Sequence, residues 1–178
     1  AHLNRVEMPP FSAMIDSGAW GVMTAHLEVP AFESEEGLPA SFSSSVIQDV
    51  LRDSLGFKGL VITDAVNMRG AKTVAEPGRV DAMALKAGND IVEYTEDLPG
   101  AIQAVKGMIS EGELSWRDIE EKCKKSLAFK HHLGLTETPH VETEGLMKRI
   151  VNPEARLLKR NLYEAAATVL VNRDEALP

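Results

Sequence analysis

A single cysteine, Cys123, stands among the 178 residues, so no disulfide can form within the chain. A lone thiol is compatible with a reducing compartment without requiring one. No apolar run approaches the roughly 18 residues that a membrane helix needs, and no membrane association is expected. Ala1-His2-Leu3-Asn4-Arg5 has none of the basic flank, apolar stretch and small-residue cleavage site of a signal peptide. An initiator Met is missing too, and this start is not expected to be the native one. Positive charge is in deficit: 19 Lys and Arg face 27 Asp and Glu, a net charge of −8 at pH 7. Phosphates attract basic faces, so nucleic acid is not an expected partner, and the acidity reads as a source of solubility. No His/Cys/Asp cluster has ligand spacing, no glycine-rich phosphate loop occurs, and no Gly-x-Ser-x-Gly elbow is present. Neither a metal nor an organic cofactor is expected.

What remains is an ordinary soluble composition, 44% hydrophobic and 26% charged, in which helices and strands alternate. Phe11 to Ile15 closes a first helix that Gly18 stops. Trp20 to His26 is short and mostly apolar, the mark of a buried strand. A loop rich in Glu, Pro and Ser covers residues 28–44. Ser45 and Gln48 have capping-box spacing ahead of Val46, Ile47, Val50, Leu51 and Leu55, one apolar helical face that ends at Gly56. Leu60-Val61-Ile62-Thr63-Asp64 is the clearest buried strand. A helix near Val80 to Ala87 leads to a third strand, Asp90 to Tyr94. Leu98, Ala101, Ile102, Val105, Met108 and Ile109 then keep helical spacing as far as Gly112. Ser115 and Asp118 form another capping box, before Ile119, Cys123 and Leu127 on one face and Gly134 as terminator.

This rhythm is that of a parallel α/β fold. Three strands are too few to stand alone, since parallel sheets are covered on both faces and closed or extended much further. Residues 1–135 therefore read as the C-terminal portion of a (β/α)8 TIM-type barrel or as part of a doubly wound sheet; pattern alone allows both. Residues 136–152 are polar and without clear periodicity, a linker. Residues 153–178, a helix from Pro153 to Ala167 and the apolar run Thr168 to Asn172, read as the start of a second α/β domain.

In α/β folds ligands meet the carboxyl ends of parallel strands. His26, Asp64, Glu93 and Tyr94 fall there. Asp64 directly ends an apolar run, and a rigid strand end is a good platform for a reacting group. A helix N-cap is an equally good account of an Asp at this place. For His26 a hydrogen-bonded structural histidine outweighs a chemical role by about two to one. Met23 and Met68 lie close to the candidate site, as packing residues or as contacts to a substrate. Glu93 and Tyr94 suit either a solvated loop or contacts to hydroxyl groups. His131 and His132 close a helix, where imidazolium suits the dipole.

The stretch Leu55-Gly56-Phe57-Lys58-Gly59-Leu60-Val61-Ile62-Thr63-Asp64-Ala65-Val66-Asn67-Met68-Arg69-Gly70-Ala71 resembles the nucleophile segment of family 3 glycoside hydrolases. Gly21 to His26, Pro39 to Ser43 and Ala87 to Asp90 resemble the flanking strand, loop and last-strand entrance of the same barrel, and the likeness runs in order from about Met8 to Leu135. The resemblance implies a retaining glycosidase with Asp64 as nucleophile, and His26, Met23 and Met68, close to it, are the candidate substrate contacts. Ala65, where the β-glucosidase branch commonly carries Trp, resembles the β-N-acetylglucosaminidase branch of bacterial cell-wall recycling or chitin-fragment breakdown. Glucose or xylose as the sugar, or a non-catalytic carbohydrate-binding fragment, are the alternatives. The branch takes its general acid, a His assisted by Asp, and a sugar-gripping Lys-His pair and Arg from earlier strands, and none of these motifs occurs here. A small carbohydrate substrate and an N-terminal portion of the same enzyme are thus the implied partners, in bacterial cytoplasm or periplasm.

Overall fold

The computed structural model describes residues 2–137 and 142–172. The chain separates into two compact units, Ala1–Thr136 and Glu137–Pro178. In the first, a wide helical turn at Leu3–Glu7 runs into α1 (Met8–Asp16), which ends where Gly18 takes a positive φ of 88°. β1 (Gly21–Thr24) and β2 (Leu60–Thr63) pair in parallel, with Gly21 opposite Leu60 and Thr24 opposite Thr63. Gly59 lets β2 enter beside β1: a β-carbon there would collide with the Trp20 carbonyl, which accepts the Leu60 amide at 2.8 Å.

Between the strands lie a short 3-10 turn, Ala40–Phe42, and a wide helix, Ser45–Ser54. The helix buries Ile47 and Leu51 against Phe57, Val61 and Ala87, the principal cluster behind β2. Burial of each such side chain is worth about 1.5–3 kcal/mol. Its expected capping box is not formed. Ser43 caps instead, its hydroxyl accepting from the Val46 amide at 3.1 Å, because the 3-10 turn before it brings the chain in from a different angle. After β2 come a one-turn helix α2 (Arg69–Lys72) and α3 (Arg79–Ala87), whose Val80 and Ala84 pack with Phe42, Val66 and Ala71. α4 (Leu98–Ser110) and α5 (Trp116–His132) follow. Ser115 and Asp118 form the expected capping box at α5.

Four expectations are corrected. The third strand shrinks to one parallel bridge, Ile62 to Ile91. Side chains stand in for the rest of its ladder. The Asp90 carboxylate accepts the Val61 amide at 2.8 Å, the Thr63 hydroxyl accepts the Glu93 amide at 3.0 Å, and Tyr94 turns the backbone aside at φ 60°. The segment at β1 is not buried throughout: Thr24 is, whereas Trp20 and Met23 are 48% and 56% exposed, since β1 has no neighbour on its outer edge among the described residues. The face Ile119-Cys123-Leu127 does not turn wholly inward, as Cys123 and Leu127 are exposed. Lys122, Lys125 and Phe129 face inward instead, because Asp90 and Trp20 are what α5 meets. In the second unit, α6 (Leu146–Ile150) interrupts the polar stretch and α7 (Pro153–Ala166) begins at an Asn152 cap. Thr168 to Asn172 forms no strand among the described residues. The remainder of both expected segments, 138–141 and 173–178, lies outside the described residues.

Opposite the carboxyl ends, a buried ion cluster ties α5 to the sheet. Asp90 Oδ2 accepts from Arg52 at 2.7 Å and Lys125 at 2.9 Å. Burial opposes ionisation of Asp90, but the Val61 amide, Lys125 and Arg52 outweigh it and hold the carboxyl below its usual range. Burial also pushes Lys122 and Lys125 down, which offsets part of the pairing.

Candidate active site at the carboxyl ends of the strands

Asp64 is the first residue past β2, and its amide donates to the Thr24 carbonyl at 2.8 Å, continuing the ladder by one step. Its carboxylate caps no α-helix: α2 begins at Arg69 with Met68 as N-cap. Oδ1 accepts from the neighbouring Ala65 amide at 2.8 Å, and Oδ2 has no hydrogen-bond partner among the described residues. The half-buried Asp64 side chain therefore presents one constrained and one open oxygen.

The loop that follows is pinned at three places. The Ala65 carbonyl accepts from the Met68 amide at 3.0 Å, closing a tight turn, and from His26 Nε2 at 3.1 Å. The Val66 amide donates to the Glu93 carbonyl at 3.0 Å. His26 Nδ1 lies 2.6 Å from the Ser41 hydroxyl, and its ring stacks on Phe42 with centroids 5.5 Å apart and planes 8° from parallel. A β-carbon on Gly70 would come within 3.0 Å of the His26 Cβ, so the small residue lets α2 close over the imidazole.

The hydrogen bonds thus gather His26 and Asp64 into one loop cluster. Met23 and Met68 do not pack inward; they stand 56% and 46% exposed. Tyr94 is 67% exposed, and His132 is placed elsewhere, edge-on to Trp20 at 4.6 Å. Sequence reasoning missed the polar support beneath the cluster. Asn89, fully buried, donates to the Ser41 and Ala84 carbonyls at 2.8 and 2.7 Å and accepts from the Thr24 hydroxyl at 2.9 Å. Thr24 and Thr63, buried and paired in register at the ends of apolar strands, were the available signal: polar residues at such places need partners. Among the described residues no group of three or more His, Cys, Asp or Glu is disposed to hold a metal. Concavities of about 650 Å³ along α1 and about 420 Å³ around Arg52 and Lys122 open elsewhere, and Asp64 lines neither.

The model of the glycosyl hydrolase family 3 N-terminal domain matches residues 1–128. The chain belongs to glycosyl hydrolase family 3. It is 35% identical to a beta-hexosaminidase of Stenotrophomonas maltophilia over 156 residues, 80% of this chain and 43% of that protein. It is 31% identical to a periplasmic beta-glucosidase of Salmonella typhimurium, over 96% of this chain and 22% of that one. Among solved structures, a family 3 beta-N-acetylglucosaminidase from Paenibacillus sp. superposes with a TM-score of 0.78 at 31% identity, over 89% of this chain and 31% of that chain. The chain thus spans less than half the length of each of these relatives. Such neighbours give it an α/β fold of the TIM-barrel type.

Proposed function

We propose that this chain is the nucleophile-bearing C-terminal portion of the catalytic barrel of a retaining β-N-acetylglucosaminidase. Asp64 is the nucleophile, and an N-terminal portion of the same enzyme supplies the general acid. The observation that carries the reading is the Asp64 carboxylate at the carboxyl end of β2, with Oδ1 held by the Ala65 amide and Oδ2 open. Family membership supports the chemistry. An Oδ2 lone pair forms a bond to the anomeric carbon as the glycosidic carbon–oxygen bond breaks. The leaving oxygen takes a proton from the general acid; water then gives a proton back to that group's conjugate base as its oxygen attacks the same carbon and frees the carboxylate. Holding one oxygen still lowers the cost of aligning the other. Met23 and Met68 offer apolar contacts beside the sugar.

In the complete enzyme, Asp64→Asn should lower kcat by roughly four orders of magnitude while leaving the fold intact. Mass spectrometry of an adduct trapped with a fluorinated substrate analogue should find the sugar on Asp64. Substantial turnover by Asp64→Asn, or an adduct on another residue, removes the assignment. A second reading, β-glucosidase, is favoured by the Salmonella typhimurium relative, which matches across nearly the whole chain. Comparison of kcat/KM for aryl N-acetylglucosaminide and aryl glucoside separates the two, and a preference for glucoside selects the second.

A further inference from the structure

We propose that His26 is a positioning residue for Asp64, its imidazole fixing the Asp64–Ala65 junction through the Ala65 carbonyl. The inference rests on the assignment of Asp64 as nucleophile. It starts from the loop's own weakness. A carboxylate one residue past a short parallel strand inherits the freedom of whatever follows it, and here a four-residue turn follows. The Ala65 carbonyl has two lone pairs, and both are taken, one by the Met68 amide within the turn and one by His26 from across the sheet. The second bond is the one that ties the turn to the segment just past β1. Because a carbonyl only accepts, Nε2 must carry the hydrogen, and in the neutral ring Nδ1 is then the acceptor for the Ser41 hydroxyl.

The ring is itself held from three sides. Phe42 lies flat against one face and Gly70 admits α2 close to its Cβ. Ser41, fully buried, cannot shift: its amide donates to the Ala25 carbonyl and its carbonyl accepts from Asn89. A line of hydrogen bonds therefore runs from Asn89 through Ser41 and His26 to the residue next to Asp64. With both nitrogens engaged by the protein, His26 acts on the loop and has no ring nitrogen left for a sugar hydroxyl.

The test compares His26→Leu, His26→Gln and Ser41→Ala in the complete enzyme. Displacement of a reacting group by about 1 Å costs about 100-fold in rate, so His26→Leu should lower kcat about 100-fold with KM changed less than about twofold. A Gln amide reaches where Nε2 stood and can donate to the same carbonyl, so His26→Gln should recover at least about tenfold. Ser41→Ala, which frees the ring, should fall between. Nitrogen-15 shifts of the His26 ring should show a hydrogen on Nε2 and a bare Nδ1. A raised KM with kcat preserved would overturn the proposal in favour of direct sugar contact. Loss of folded protein with unchanged kcat per folded molecule would reduce His26 to a packing residue. If Asp64→Asn is inactive while His26→Leu keeps its kcat, this inference alone falls. If Asp64→Asn turns over, the nucleophile assignment falls and this inference with it.

Discussion

Asp90 shows how much one carboxylate can do away from the chemistry. Its Oδ2 takes the Val61 amide, Arg52 and Lys125 together, and the side chain is almost inaccessible. Removing its charge strands two cations next to a buried strand, a situation that typically costs 3–5 kcal/mol. Asp90→Asn should accordingly destabilise the protein by about 3 kcal/mol at neutral pH. The sign with acid follows from the depressed carboxyl. The stabilisation is present above the ordinary Asp value of about 3.9 and is lost as pH falls through the lower folded value. Thermal melts between about pH 6 and pH 2 should show this loss in the parent and a shallower one in Asp90→Asn. Parallel curves would remove Asp90 from the ledger.

Elements were legible in the sequence to the extent that their signals were local. Ser115 with Asp118, and the glycines after α1, the Ser45–Ser54 helix and α5, act within a few residues, and their caps and stops lie where the pattern puts them. The third strand failed because its hydrogen bonds are shared with side chains of Asp90 and Thr63, which no propensity of Ile91 to Tyr94 contains. The inward face of α5 failed because it is built from lysines and a phenylalanine that answer to Asp90 and Trp20. At the site, Asp64 was visible as a carboxylate ending an apolar run. Asn89, Ser41 and the Ala65 carbonyl were not, since they come from separate segments or the backbone. The local and the packed contributions differ in size. Ile47→Ala, at full burial, should cost about 3 kcal/mol, whereas Ser115→Ala, at an exposed cap, should cost about 1 kcal/mol. Hydrogen exchange at the Val61 amide should register the first strongly and the second weakly. The reverse order would mean that the helix behind β2 is not the principal support of the sheet.

At the scale of the molecule, the governing fact is that β1 has one partner among the described residues. Its outer edge carries unpaired backbone groups among the described residues, and Phe11, Met14, Trp20 and Met23 are each about half exposed or more. Open edges beside apolar surface promote association. Residues 1–178 expressed alone should therefore form oligomers or aggregates in sedimentation. Addition, as a separate chain, of the N-terminal portion proposed above should shift them to a defined complex. A monodisperse monomer that melts cooperatively without that portion would contradict the reading of β1 as an internal barrel strand.

β2 carries opposite duties at its two ends. At Val61 it is gripped by Asp90 and the cations around it; three residues later, about 10 Å along at strand spacing, it delivers Asp64. Perturbations separated by that distance act almost independently except where they share a partner, as Asn89 is shared here, its carbonyl accepting from Lys122 and its side chain from Thr24. The loops beyond Thr24, Thr63 and Ile91 can therefore vary while the amino ends keep the strands in register. A scaffold divided in this way tolerates innovation on one rim because its cohesion is secured on the other.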